Sequence, residues 1–155
     1  MNCENSIHIR APLDTIFAQT SNLESWPKLL PHYRWVRVVE RDPATAGLIV
    51  NMGARRGWLP IRWTSRFEAD PEAREFRFHH LKAFTRGMDV KWTFTPTVDG
   101  VLVRITHELN RRSALGRWFA EHVLARHFIQ PVAACTLRHF KQHLEQTTKS
   151  VLVSS

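Results

Sequence analysis

The stretch MDVKWTFTPTVDGVLVRITHEL, from Met88 to Leu109, decides the fold of this chain. Apolar and polar residues alternate on both sides of Asp99-Gly100, a dipeptide typical of tight β-hairpin turns. A period of two sends one set of side chains to a buried face and the other set to water. The stretch therefore predicts two antiparallel strands, over 87–96 and 100–110, which cover one side of a core.

The same alternation continues upstream of this hairpin. Leu59, Ile61 and Trp63 alternate with polar or exposed positions, and Asp42-Pro43 and Asp70-Pro71 are typical of the turns between strands. The predicted strands upstream of the hairpin cover 5–9, 33–41, 47–54, 58–69 and 74–81. Together with the hairpin they predict a sheet of seven antiparallel strands.

Helical patterns lie between the first two strands and at the C-terminal end. One short helix follows Pro12, and a second is predicted over 23–30. A long helix is predicted from the N-cap Ser113 to about Thr147, with a kink or restart at Pro131 and a frayed tail over 148–155. The predicted fold class is α+β: one domain over 1–155, in which a strongly curved sheet wraps around the long helix.

Composition narrows the class of protein. The chain has 155 residues, two cysteines and a formal net charge of +8. It lacks a run of about 18 apolar residues and a basic-then-apolar leader, so a cytoplasmic protein is expected. No nucleic-acid motif accompanies the basic residues, so a solvated basic exterior is favoured over nucleic-acid binding. A weak contact with an anionic membrane or an acidic partner stays open, and the sequence indicates no particular oligomeric state.

Isolated polar residues interrupt the aromatic inward face. Ser65, His80 and His107 fall on the inward parity of their strands, where each needs a hydrogen-bond partner or costs roughly 1–3 kcal/mol. An apolar surface with a few polar groups is typical of a pocket for a small molecule. A histidine that titrates near pH ~6.5, its usual value, could also serve there as an acid or a base.

No cofactor or metal is expected from the sequence. His139 and His143 lie four residues apart on the predicted long helix, a spacing that can bind a metal. The apolar stripe through Leu137, Phe140 and Leu144 is expected to leave both histidines facing solvent, and no third ligand stands at a recognised spacing.

Four motifs resemble those of a known family: NLESWP over 22–27, LLPHY over 29–33, WTS over 63–65 and KWTF over 91–94. With them the chain is similar to the START-like (SRPBCC, helix-grip) superfamily, in its polyketide cyclase/dehydrase group, close to bacterial aromatase/cyclases. The resemblance covers about 5–145. It implies a cavity between sheet and C-terminal helix, in a superfamily that includes cyclases, lipid carriers and coenzyme Q-binding proteins.

The resemblance also implies which residues face the cavity. Trp26, Tyr33, Ser65 and Trp92 match pocket residues of the aromatase/cyclases, but Phe67 stands where that pattern has a substrate-steering arginine. This departure favours binding over cyclase chemistry. The predicted ligand-binding residues are Trp26, Leu29, Tyr33, Trp63, Ser65, Phe67, Phe78, His80, Trp92 and His107. Candidates for catalysis are His80, His107 and Tyr33.

Three functions follow as hypotheses. The leading one is a protein that binds a hydrophobic, partly polar small molecule, such as a lipid, a quinone or a polyketide, with the segment 26–31 as a mobile lid. The second is a polyketide cyclase, aromatase or dehydratase. The third is a quinone or lipid chaperone that docks on a membrane or a partner protein through its basic exterior.

Overall fold

A seven-stranded antiparallel sheet forms most of the fold in the computed structural model, which describes residues 1–154. Its strands are β1 (Asn2–Ile9), β2 (Tyr33–Arg41), β3 (Leu48–Arg56), β4 (Leu59–Asp70), β5 (Glu75–His80), β6 (Asp89–Pro96) and β7 (Val101–Glu108). The spatial order is β1-β7-β6-β5-β4-β3-β2, so consecutive strands are neighbours except that β1 pairs with β7. The predicted sheet is confirmed.

The first strand is longer than predicted. It begins at Asn2 rather than at residue 5, because Asn2 and Cys3 stand opposite Glu108 and His107 in the β1–β7 ladder. Pairing with β7 thus extends β1 over residues whose own alternation is weak.

The helices occupy the predicted places with two differences. Helix α1 (Leu13–Ser21), a 3-10 turn (Leu23–Ser25) and the four-residue α2 (Trp26–Leu29) connect β1 to β2. The C-terminal helix has three segments: α3 (Ala114–Phe119), a π-helical segment (Ala120–Ile129) and α4 (Gln130–Ser154). The π-helical segment was not predicted. The helix also continues through Ser154, beyond its predicted end near Thr147 and through the tail expected to be frayed.

Local sequence explains the start of this helix and its change of hydrogen-bonding pattern. The Ser113 hydroxyl accepts a hydrogen bond from the Gly116 backbone N–H at 3.0 Å, which confirms the predicted N-cap. The π-helical pattern gives way to the α-helical one at Gln130, directly before Pro131. Because a proline has no N–H to donate, the hydrogen-bonding pattern changes there, but the helix continues without interruption instead of restarting.

The core lies between the concave face of the sheet and the C-terminal helix. Trp26 is fully buried at its centre, and the indole ring packs 5.7 Å from Phe140 of α4 and 5.7 Å from Trp92 of β6, between ring centroids. The indole N–H donates to the Thr20 carbonyl oxygen at 2.9 Å. One side chain therefore joins the short helices, the sheet and the C-terminal helix.

Hydrogen bonds from β1 and the residue after it fix one side of α4. The Lys141 ammonium donates to the His8 carbonyl oxygen at 2.6 Å, and the Arg10 backbone N–H donates to the Glu145 carboxylate at 3.0 Å. At the other edge of the sheet, next to strand β2, His32 Nε2 lies 2.8 Å from the Thr136 hydroxyl of α4.

A β-bulge resolves an ambiguity at the start of β2. Simple alternation cannot place both Tyr33 and Val36 on the inward face, yet both are buried. The β2–β3 register shifts between Tyr33 and Trp35, which inserts the extra residue that the two inward positions need. Trp35 then covers Gly53, where an added Cβ would collide with the indole ring.

No helix within residues 1–154 combines the length and the apolar character that crossing a bilayer requires.

Candidate ligand-binding cavity

A mostly apolar cavity lies between the sheet and the C-terminal helix. The cavity has a volume of about 90 Å³ and is partly open to solvent. The lining residues are Trp26, Tyr33, Met52, Ile61, Trp63, Phe78, His80, Phe84, Thr85, Met88, Val90, Trp92, Ile105, His107, Leu124, Phe128, Ile129, Val132, Ala133 and Thr136.

Seven of the ten predicted site residues line this cavity: Trp26, Tyr33, Trp63, Phe78, His80, Trp92 and His107. Leu29, Ser65 and Phe67 do not. Phe67 packs against the Phe76 and Phe78 rings, at 5.4 and 5.0 Å between centroids, so a core aromatic ring fills the position of the family's arginine. The Ser65 hydroxyl is fully buried beside this core and has no hydrogen-bond partner within the described chain.

His80 is held in place by two neighbours. Its Nδ1 lies 2.7 Å from the Thr85 hydroxyl, and its ring stacks on Trp63 with 5.9 Å between centroids and 2° between planes. Burial, and then the nearby His107 and His79 rings, lower the pKa of His80 from 6.5 to about 3. The imidazole is therefore uncharged at neutral pH.

His107 presents an unused polar atom. The side chain is buried on β7, and its Nδ1 has no hydrogen-bond partner among the protein groups of residues 1–154. Burial lowers its pKa to about 4. Both inward histidines are therefore neutral at neutral pH, because the apolar surroundings penalise the charged form.

Tyr33 lies at the helix side of the cavity. Its ring meets Trp26 edge-on at 5.1 Å and Trp63 at 6.0 Å, between centroids. Burial raises the pKa of its hydroxyl well above the usual range, and a hydrogen bond with Thr136 opposes this only in part. Tyr33 is thus a neutral phenol that can donate or accept a hydrogen bond.

The π-helical segment and the loop after β5 form the mouth of the cavity. Leu124, Phe128 and Ile129 of this segment line the interior, and the partly exposed Phe84 packs against Phe128 at 6.4 Å between centroids. π-Helical segments are rare and frequent at functional sites. Sequence reasoning missed this segment because it looked for the α-helical period, in which apolar residues recur every three or four positions, whereas the buried residues here recur at spacings of four and five: Ala120, Leu124, Ala125 and Ile129.

The predicted lid is not supported by the packing. Trp26 and Leu30, within the segment 26–31, are 1% and 0% exposed, and Trp26 packs against rings from both the sheet and α4. The apolar side chains hold the segment despite its prolines. Phe84 and Phe128 are the better candidates for a movable entrance.

Potential metal ligands lie together outside the cavity. His139 was predicted to face solvent. Its side chain instead lies beside Cys135 and His32 and is only partly exposed. Burial, followed by the His139 and Arg138 charges, lowers the pKa of His32 to about 4. The sequence spacing suggested a pair of His139 with His143. It gave no sign of this cluster, because His32 is 103 positions from Cys135 in the sequence.

The depressed pKa values of His80 and His107 predict acid sensitivity. Unfolded imidazoles bind a proton near pH 6.5, whereas the folded ones do so only near 3 and 4. The unfolded state therefore binds more protons in this window, so stability falls as pH drops below 6.5, by at most about 1.4 kcal/mol per pH unit for each histidine. Urea unfolding at a series of pH values from 6.5 down to about 4 should show this decrease in the free energy of unfolding. The His107→Gln variant should show a shallower loss than the partly exposed control His143→Gln, and equal slopes would contradict the assignment.

The comparisons with known proteins agree with this geometry. A protein from Streptomyces halstedii, named as a candidate polyketide cyclase, is 30% identical over 102 residues, 65% of this chain and 94% of its own length. TTHA0849 from Thermus thermophilus superposes with a TM-score of 0.77 at 20% identity, covering 96% of this chain and 99% of that one. Zhui aromatase/cyclase from Streptomyces sp. R1128 superposes with a TM-score of 0.70 at 17% identity, covering 90% of this chain and 93% of that one. Both superpositions show the helix-grip fold.

A family model also matches. It describes polyketide cyclase/dehydrase and lipid transport proteins, and it covers residues 2–145. With this match, the chain belongs to the polyketide cyclase/dehydrase and lipid transport family.

Proposed function

We propose that this protein binds a small, flat, mostly apolar molecule that carries one hydrogen-bonding group. The observation that carries the proposal is the buried Nδ1 of His107, which lacks a protein partner within residues 1–154 and belongs to a residue of the mostly apolar cavity wall. A buried polar atom without a partner costs free energy, and a polar group of a ligand would recover it. Membership of a family that handles polyketides and lipids supports the same chemistry.

The size of the cavity restricts how such a ligand enters. A cavity volume of about 90 Å³ is well below the roughly 300–1,000 Å³ of ordinary ligand pockets. A two-ring molecule therefore fits only if Phe84 and Phe128 move outward at the mouth. Apolar area supplies the driving force, at about 25 cal/mol per Å² removed from water, before the cost of ordering the ligand.

Two matched probes test this proposal. 1-Naphthol and naphthalene differ by one hydroxyl group, and Trp26, Trp63 and Trp92 line the cavity, so quenching of tryptophan fluorescence reports binding. We expect 1-naphthol to bind about tenfold more tightly, because one hydrogen bond to a buried partner contributes about 1.4 kcal/mol.

The His107→Leu variant separates this hydrogen bond from general hydrophobicity. It should keep naphthalene binding and lose the preference for 1-naphthol, whereas the surface variant His143→Ala should behave as the wild type. Absence of quenching by both probes, or an unchanged preference in His107→Leu, would overturn the proposal.

A second candidate function is cyclisation of a poly-β-keto substrate, which the family membership favours. The neutral imidazole of His80 could take a proton from a carbon between two carbonyls. Tyr33 could give its proton to the carbonyl oxygen that the resulting enolate attacks, so that a carbon–carbon bond and a hydroxyl form. Only uncharged groups line the cavity at neutral pH within the described residues, so positioning would contribute more than charge stabilisation.

Chemical turnover distinguishes this candidate from binding alone. With a polyketide synthase that releases a linear poly-β-keto precursor, we expect addition of the wild-type protein to change the ratio of cyclised products. The Tyr33→Phe and His80→Gln variants should reduce that change by at least about tenfold, since general acid–base groups contribute about 10²–10⁴-fold. A wild-type protein without effect on the ratio would rule out this reaction.

An exposed patch beside the mouth supports docking of a lipid carrier on an anionic membrane. Leu115, Trp118 and Phe119 of the C-terminal helix are exposed at 77%, 53% and 48%. Arg111, just before this helix, donates to the Phe84 carbonyl oxygen at 2.6 Å and so places the patch next to the entrance. Apolar side chains can insert among the acyl chains of a membrane, while neighbouring arginines attract its anionic headgroups.

Vesicle sedimentation tests this docking. We expect binding to vesicles that contain phosphatidylserine, weaker binding as salt rises, and little binding to phosphatidylcholine alone. The Trp118→Ala variant should bind more weakly, and Trp58→Ala, which alters an 87% exposed tryptophan in the β3–β4 turn, should not. Salt-independent binding, or equal loss in both variants, would contradict the assignment.

A further inference from the structure

His32, Cys135 and His139 form a cluster of potential metal ligands on the outer side of α4. His32 precedes β2, and the other two lie one helical turn apart on α4. One ligand atom from each residue lies within 4.8 Å of the other two. All three side chains are partly exposed, so an ion can reach the cluster from solvent.

The distances suit a tetrahedral ion. The Cys135 Sγ lies 3.5 Å from His32 Nδ1 and 3.5 Å from His139 Nδ1. A tetrahedral zinc ion, with Zn–S of about 2.3 Å and Zn–N of about 2.0–2.1 Å, places its sulfur and nitrogen ligands about 3.6 Å apart. The edge between the Cys135 sulfur and His32 Nδ1 is therefore already present, and His139 Nδ1 lies at the same distance from the sulfur.

The hydrogen bonds around His32 orient its lone pair toward the cluster. The Thr136 hydroxyl donates to the Val132 carbonyl oxygen at 2.8 Å, so its oxygen accepts from His32 Nε2–H, at 2.8 Å. This assigns the proton to Nε2 and leaves Nδ1 unprotonated, facing the Cys135 thiol. A second partner that fixes the tautomer of a ligating histidine is typical of metal sites.

His139 requires one adjustment. Its Nδ1 donates to the Cys135 carbonyl oxygen at 2.8 Å. Rotation of the ring about χ2 exchanges this partly exposed hydrogen bond for a bond to the ion. The alternative is that Nδ1–H keeps the carbonyl oxygen and Nε2 binds, the arrangement in which a backbone acceptor orients a ligating histidine. Both leave His139 as the third ligand.

The donor set selects the kind of ion. Two imidazoles and a thiolate suit zinc and similar borderline-soft ions, whereas calcium and magnesium prefer oxygen ligands. The Arg138 guanidinium lies close enough to influence His32 and opposes a cation there. The negative thiolate of Cys135 offsets this positive charge once the ion binds.

We propose that His32, Cys135 and His139 bind one zinc ion, with water in the fourth position. The Cys135 thiol proton leaves to solvent as the sulfur–zinc bond forms. The ion would connect the segment before the edge strand β2 to α4, on the side opposite the hydrogen bonds from β1. It therefore acts as a clip that holds the helix against the sheet.

Metal titration of the untagged, chelator-treated protein tests this site. With ZnCl₂ in a calorimeter we expect one equivalent to bind the wild type and to raise Tm. The Cys135→Ser, His32→Ala and His139→Ala variants should each bind at least about tenfold more weakly. CoCl₂ should give a thiolate-to-cobalt absorption band that disappears in Cys135→Ser.

Two control variants make the result specific. Cys3→Ser alters the second, buried thiol, and His143→Ala alters the next histidine along α4; both should retain wild-type zinc affinity. Circular dichroism shows whether each variant is folded, and Cys135→Ser changes one atom of a partly exposed side chain. Absence of zinc binding by the wild type, unchanged affinity in Cys135→Ser, or loss of binding in His143→Ala would overturn the proposal.

Discussion

The burial of the Trp26 indole between the sheet and the C-terminal helix is the interaction on which the other parts of the structure depend. The ring contacts Phe78 and Trp92 from the sheet and Phe140 from the helix, and its N–H is satisfied by the Thr20 carbonyl oxygen. A large aromatic ring with its polar atom paired buries much apolar area without an unpaired donor. It fixes the distance between the two layers and therefore the space left for the cavity.

Within that space the protein excludes charge. Phe67 occupies the core where related cyclases are expected to carry an arginine, and the lining histidines are neutral because burial penalises their protonated forms. An apolar cavity without a fixed charge recognises shape and single hydrogen bonds more than anionic groups. The burial that keeps these histidines neutral therefore affects two properties: which ligands the cavity prefers, and how far the fold loses stability in acid.

The cavity and the histidine–cysteine cluster share a wall. Thr136 lines the cavity, and its hydroxyl lies 2.8 Å from His32 Nε2 on the other side. His32 in turn packs against Tyr33, with 4.8 Å between ring centroids. Thr136 and Tyr33 thus connect the cluster directly to the wall of the cavity.

The order of the elements along the chain, the inward faces of β4 to β7 and the N-cap at Ser113 could be predicted from the sequence alone, because alternation and capping depend on neighbours within a few positions. Tertiary structure decided the rest. The bulge at Tyr33, the π-helical segment at the mouth and the exclusion of Ser65 from the cavity depend on pairing and packing between distant segments. The approach of His32 to Cys135 is of this kind as well, since only the docking of α4 against the segment before β2 brings two residues 103 positions apart into contact.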